Sequence, residues 1–144
     1  MKKINIIVII VLFTVFVSAV HAQTGTITVK VTQIDVKEAG QIKIGIYNSI
    51  AFPNIGKEIV GIELEVTEAT VMYTFENIPV GRYGIAVFQD KNNDGKLNKN
   101  LFGAPIEPYG FSNNKYGMFG PPDFDDISVA VKGKDAISLT INLE

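Results

Sequence analysis

From Gln23 onward apolar residues recur at every second position, and that spacing restricts what the chain can fold into. In an extended strand successive side chains point to opposite faces, so a period of two marks a strand with one face buried. Ile27, Val29 and Val31 alternate with Thr26, Thr28 and Lys30. The phase then slips by one to Ile34 and Val36, which predicts a bulge or a strand end near Thr32-Gln33. Ile42, Ile44 and Ile46 make a second run, Val60, Ile62, Leu64 and Val66 a third, and Val71, Tyr73 and Phe75 a fourth. In the fifth, Tyr83, Ile85 and Val87 alternate with Gly84, Ala86 and Phe88, so both faces are apolar or small, as a central strand requires. Ile127, Val129 and Val131 form the sixth run; Ile137, Leu139, Ile141 and Leu143 form the seventh. No segment holds a helical period over three turns. Seven short strands separated by turn residues predict an all-β, antiparallel two-sheet sandwich.

The connections refine this expectation. "GKD" at 133–135 is short enough to predict a hairpin between the last two runs. "NIPVGRY" at 77–83 predicts a tight corner, after which Tyr83 is either a tyrosine corner bonded to nearby backbone or a plain core residue. From Asp90 to Asp125 no strand or helix period is visible, a length that is usually functional or disordered in a compact domain. Phe102, Tyr109, Phe111, Tyr116, Phe119 and Phe124 lie in this segment, which favours an ordered cap folded back onto one end of the sandwich.

Upstream, Lys2 and Lys3 precede an apolar run from Ile4 to Val17, followed by Val20-His21-Ala22. This layout predicts a signal peptide over 1–22, cleaved before Gln23, and hence a periplasmic or extracellular protein; an uncleaved anchor is the alternative. Residues 23–144 are then one sandwich domain, with eleven Lys and Arg against fifteen Asp and Glu, a net charge of −4. Such a chain has no basic footprint for nucleic acid, and no membrane contact is expected once the leader is gone. The only histidine, His21, leaves with the leader, and there is no cysteine. Ser–His–Asp triads, thiolate nucleophiles and zinc sites built on imidazole or thiolate are thereby excluded. Carboxylates, hydroxyls, lysines and a hard cation remain.

"DKNNDGKLNKN" at 90–100 matches the demands of such a cation. Calcium takes six to eight oxygens, delivered by alternate residues around a sharp glycine turn. Asp90, Asn92 and Asp94 alternate correctly, Gly95 supplies the turn, the Lys96 carbonyl is a backbone ligand, and Asn98 takes the next position. Where a helix–loop–helix site has a bidentate Glu the chain has Leu101, so a further ligand must come from Glu107, Asp123, Asp125 or Asp126; Glu107 and Asp126 are taken here. The expected role of calcium is structural. A plain solvated turn is the alternative.

Tyr109 and Phe111, beside Ser112, Asn113 and Asn114, read as a surface for a protein or glycan partner, or as aromatics packing the cap with amides bonded to backbone. The function expected is a non-enzymatic secreted module whose loop is ordered by calcium. The alternative is a glycosidase-like hydrolase pairing Glu107 with Asp123, Asp125 or Asp126.

The segment "YGIAVFQDKNNDGKLNKNLFGAPIEPYGFSNN", followed by "FGPPDFDD", resembles the DUF2141 family of secreted bacterial proteins. The shared positions are Asp90, Asn92, Gly95, Lys96, Leu97, Pro105, Glu107, Gly110, Phe111, Ser112, Asn113, Asn114, Gly120, Pro121, Pro122, Phe124 and Asp126. Gln89 stands where His is usual and Asn98 where Asp is usual, a weaker ligand set. "FENIPVGRYGIAVF" is similar to the corner of prealbumin-like and Cna-B-type sandwiches, some of which carry calcium loops. The resemblance implies an immunoglobulin-like or prealbumin-like sandwich and an ion-binding loop, and it brings no activity.

Overall fold

Two sheets packed face to face realise the alternation in a computed structural model that describes residues 23–144. The predicted signal peptide lies outside the described residues. The strands are β1 (Thr24–Thr32), β2 (Gln41–Tyr47), β3 (Val60–Glu65), β4 (Thr70–Pro79), β5 (Gly81–Asp90), β6 (Tyr109–Phe111), β7 (Ser128–Val131) and β8 (Ala136–Asn142). One sheet has the order β4-β1-β8 and the other β3-β2-β5, with the far edge of β5 shared in series by β7 and β6.

The core is the sum of the inward faces. Ile27, Val29 and Val31 of β1, with Phe75 and Ile141 from its neighbours, meet Ile42, Ile44, Ile46, Ile85 and Val87 of the opposite sheet. Each of these is buried because its strand partner holds it on that face; a one-residue slip would turn every one to solvent. The slip after Val31 proves to be a strand end: β1 stops at Thr32 and Gln33 turns with φ 63°.

Seven of the eight strands coincide with the apolar runs, and the all-β sandwich stands. The pairing is less uniform than expected. β8 runs parallel to β1, with Ile27 opposite Ile137 and Val31 opposite Ile141. β7 pairs with β5 across the sandwich, so "GKD" is not a hairpin: the chain crosses there from one sheet to the other. Asp135 secures the crossing by accepting from Lys132 N through its carboxylate and from Thr26 N through its carbonyl. The hairpin expectation failed because two open edges, of β5 and of β1, lie on opposite sheets at the same end and each takes a strand.

The segment 90–125 is ordered, as expected, and contributes the eighth strand, a 3-10 turn at Ser112–Asn114 and the short helix α1 (Phe124–Ile127). Tyr83 is a tyrosine corner: buried, with its hydroxyl donating to the Pro79 carbonyl at 2.9 Å. A net hydrogen bond of this kind is worth about 0.5–1.5 kcal/mol. Tyr83→Phe should therefore lower stability by about that amount, with an unchanged denaturant slope, in urea unfolding of residues 23–144.

Candidate metal centre and the adjoining groove

β5 delivers Asp90 as its last residue, and the Asp90 side chain is fully buried. A buried carboxylate requires donors. It finds them in the loop that follows: Oδ1 accepts from Asp94 N at 3.1 Å and Oδ2 from Gly95 N at 2.8 Å. Lys43, on the neighbouring β2, lies 3.7 Å from Oδ2 and also pairs with Glu63. Gly95 adopts φ 77°, the left-handed conformation that lets its N–H turn back onto Asp90. Asp94 then repeats the pattern one step out. Its Oδ1 accepts from Lys96 N, and its Oδ2 from the amides of Asn92 and Asn98, each at 3.1 Å. These donors, with Asn98 first, hold the Asp94 carboxyl below the usual 3.8.

Glu107 closes the loop from outside it. It is buried, with Oε1 accepting from Lys91 N at 2.9 Å and Oε2 from Asn98 N at 2.8 Å, so one carboxylate clamps both ends of the turn. Gln89, buried beside Asp90, bonds Asp35 N and Asp35 O and ties the β1–β2 connection to the same end of the sandwich.

Of the expected ligands, Asp90, Asn92, Asp94, Lys96, Asn98 and Glu107 are brought together by these contacts, and Asp126 is not. Asp126 belongs to α1, which packs through Phe124 and Ile127 against Gly84, six residues from Asp90 along β5 and so about 20 Å away. Asp123 precedes the same helix and Asp125 lies within it. The same placement separates Glu107 from Asp123, Asp125 and Asp126, the partners expected of a two-carboxylate hydrolase, and both Glu107 oxygens serve backbone donors. Among the described residues no three His, Cys, Asp or Glu side chains converge on one position. A cation here would draw on amide and carbonyl oxygens as well as carboxylates. The donors fit that chemistry: they are all oxygen-bearing, and the Asn92 and Asn98 amide groups lie 3.1 Å from Asp94 Oδ2, about the spacing of adjacent calcium ligands. Rotating either amide by half a turn presents its oxygen in place of nitrogen.

Ser112, Asn113 and Asn114, expected to face a partner or bond to backbone, do the second. Ser112 is fully buried; its Oγ accepts from Ile85 N at 3.0 Å and donates to the Ile127 carbonyl. The Asn113 amide donates to Asp126 O, and Asn114 both donates to Thr140 O and accepts from Asn142 N. Tyr109, Phe111 and Tyr116 stack edge to face at 5.8–6.3 Å. The Tyr116 hydroxyl donates to Asn142 O at 2.6 Å and is pushed up to about 12, first by burial and then by the Glu144 charge, so it remains a donor. Ser112, Asn113 and Asn114 are thus joints of the cap, with Asn113 and Asn114 still exposed, and Tyr109 and Phe111 also line the groove described next.

What the sequence reading missed is a groove of about 690 Å³ on the outer face of the larger sheet, lined in part by Lys43, Tyr47, Phe52, Phe88, Leu97 and Phe111. Its floor is low because Gly45 lies opposite Gly61 on one side and Ala86 on the other. Its walls are the 48–59 connection and the 90–100 loop. Glu58 lies beside the Tyr47 hydroxyl, which burial foremost and this charge second raise to about 12. Apolar Tyr47 and Phe88 at outward positions were the available signal.

A family model described as an uncharacterized protein conserved in bacteria, DUF2141, matches residues 29–138, from within β1 to within β8. No curated protein and no solved structure matches the chain.

Ser112→Ala leaves the buried Ile85 N–H without a partner, a loss of about 1–3 kcal/mol that urea unfolding should register. Asp94 gives a pH signature. Its depressed folded value means that its stabilisation is present above pH 3.8 and is lost as pH falls through the folded value. Asp94→Asn should flatten the decline of melting temperature with acid below that point and leave the neutral-to-alkaline limb parallel to the parent's.

Proposed function

The chain belongs to the DUF2141 family of uncharacterized proteins conserved in bacteria; that membership transfers no activity, and we propose from the residues themselves that it is a secreted, non-enzymatic binding module. In this reading a structural calcium ion orders the loop from Asp90 to Glu107. The loop in turn forms one wall of the aromatic groove, which receives a protein or glycan partner.

The observation that carries the reading is the double clamp on one turn. Asp90 and Glu107, both buried, hold the turn from its two sides, and between them the amides of Asn92 and Asn98 gather on Asp94 Oδ2. Four acceptor lone pairs on each carboxylate exceed the backbone donors present, so an ion can be added without displacing the clamp. A loop with two aspartates in its core motif and neutral amides beside them suits affinities of about 0.1–1 mM, the range of extracellular calcium modules. For the groove, stacked aromatics give flat apolar surface, while Lys43, Glu58 and Glu63 give charged handles at its edge. The predicted leader over 1–22 supports export.

Thermal unfolding of residues 23–144 with calcium, with magnesium and with a chelator tests the ion. Calcium at a hundredfold over its Kd should add roughly 2.7 kcal/mol, a rise of about 10 °C for a chain of this size. Asp94→Asn and Glu107→Gln, read against their own chelated forms, should each lose most of that rise. Equal melting with and without millimolar calcium would reduce the loop to a hydrogen-bonded turn and sink the reading.

A further inference from the structure

Two of the loop aromatics do not pack at all. Phe102 is 95% exposed and Phe119 97%, and their neighbours Leu101 and Met118 are equally open. Each pair sits at the centre of a small turn. The first is closed by the bridge Lys99–Pro105 and stiffened by Asn100, whose side chain accepts from Phe102 N and Ala104 N. The second is closed by the bridge Gly117–Gly120. Turn centres ordinarily carry Gly, Asn, Asp or Pro. Two adjoining turns that both carry a pair of large apolar residues instead expose several hundred Å² of apolar side chain, the size of patch that marks an interaction site. The turns are neighbours, since Phe102, Met118 and Phe119 border one cleft of about 560 Å³.

We propose that these two tips are a docking surface for an anionic lipid bilayer. Charge selects this occupant. Residues 91–121 carry four lysines against Asp94 and the buried Glu107; Lys91 pairs with Asp35, and Lys96, Lys99 and Lys115 remain exposed in the segment that carries the two tips. Lys99 stands at the base of the first tip and Lys115 just before the second, both exposed and in no ion pair among the described residues. Apolar residues that project outward with cations behind them place the former at the acyl boundary and the latter among anionic headgroups. A fluid interface accepts such side chains without a complementary pocket, which a protein partner would have to supply. The inference departs from the expectation of no membrane contact once the leader is gone; the net charge of −4 does not describe the segment that carries the tips. It goes beyond the calcium reading and does not rest on it, because Glu107 and the Ile106 N to Asn98 O bond hold the first tip's base.

The experiment is co-sedimentation of residues 23–144, which hold both sheets and the whole core, with vesicles in chelator and again in calcium. Vesicles of three parts phosphatidylethanolamine to one part phosphatidylglycerol should bind it, and neutral phosphatidylcholine vesicles should bind on the order of tenfold less, with salt weakening the former. The double variant Phe102→Ser/Phe119→Ser should lose binding on the order of tenfold while melting at the parent's temperature, since both rings are free of packing. Undiminished binding by that variant, or no binding to the anionic vesicles in chelator, overturns the proposal. So does a dimer in sedimentation velocity that the variant abolishes without any vesicle binding, which would assign the tips to a second copy of the chain.

Discussion

The outer edge of β5 changes partner halfway along, and the whole cap depends on how the gap is bridged. Residues 81–84 pair with β7 and residues 86–88 with β6, which leaves Ile85 between them without a strand opposite. Its N–H points into that gap and is satisfied by Ser112 Oγ, which also reaches the Ile127 carbonyl at the start of β7. One hydroxyl thus joins the central strand, the end of β6 and the beginning of β7. An unpaired buried N–H at this point would cost more than a hydrogen bond contributes, and the change of partner along β5 would have no bridge.

From that joint the remainder follows in order. Asn113 and Asn114 fasten the neighbouring turn to α1 and to β8. With β6 fixed, Pro108 O accepts from Gln89 N, which sets Glu107 beside the last residues of β5. The 90–100 loop is therefore pinned by a carboxylate whose position follows from the pairing of β6 with β5, and the groove wall formed by that loop inherits the same constraint.

The strands were legible because alternation is a direct consequence of a buried face: Ile42, Ile44 and Ile46 have no other way to share one side. The loop chemistry was legible in part for a similar reason, since Asp90, Asn92, Asp94 and Gly95 fulfil local backbone requirements that spacing reports. Partner choice across the sandwich was not. Nothing local to "GKD" records that β7 and β8 face edges on different sheets. Asp126 looked equivalent to Glu107 as a carboxylate, yet three-dimensional placement along β5 separates them. Phe102 and Phe119 looked like core for the same reason as Phe111: composition reports how apolar a side chain is, and not whether the turn beneath it faces inward. The groove depends on Gly45 and Gly61 lying opposite each other, a register that a single strand does not reveal.

The parallel pairing of β8 with β1 has a further consequence, for the order in which the fold can assemble. β1 is the middle strand of the smaller sheet, and one of its two edges accepts only residues 136–142, over a hundred positions later in the chain. Closing so long a loop is slow, and contacts of high sequence separation form late. Until β8 emerges, Ile27, Val29 and Val31 lie on a strand with one edge open, and the sandwich lacks Ile141. Assembly is thereby gated by the chain's far end: the sheet that contains the first strand is completed by the last.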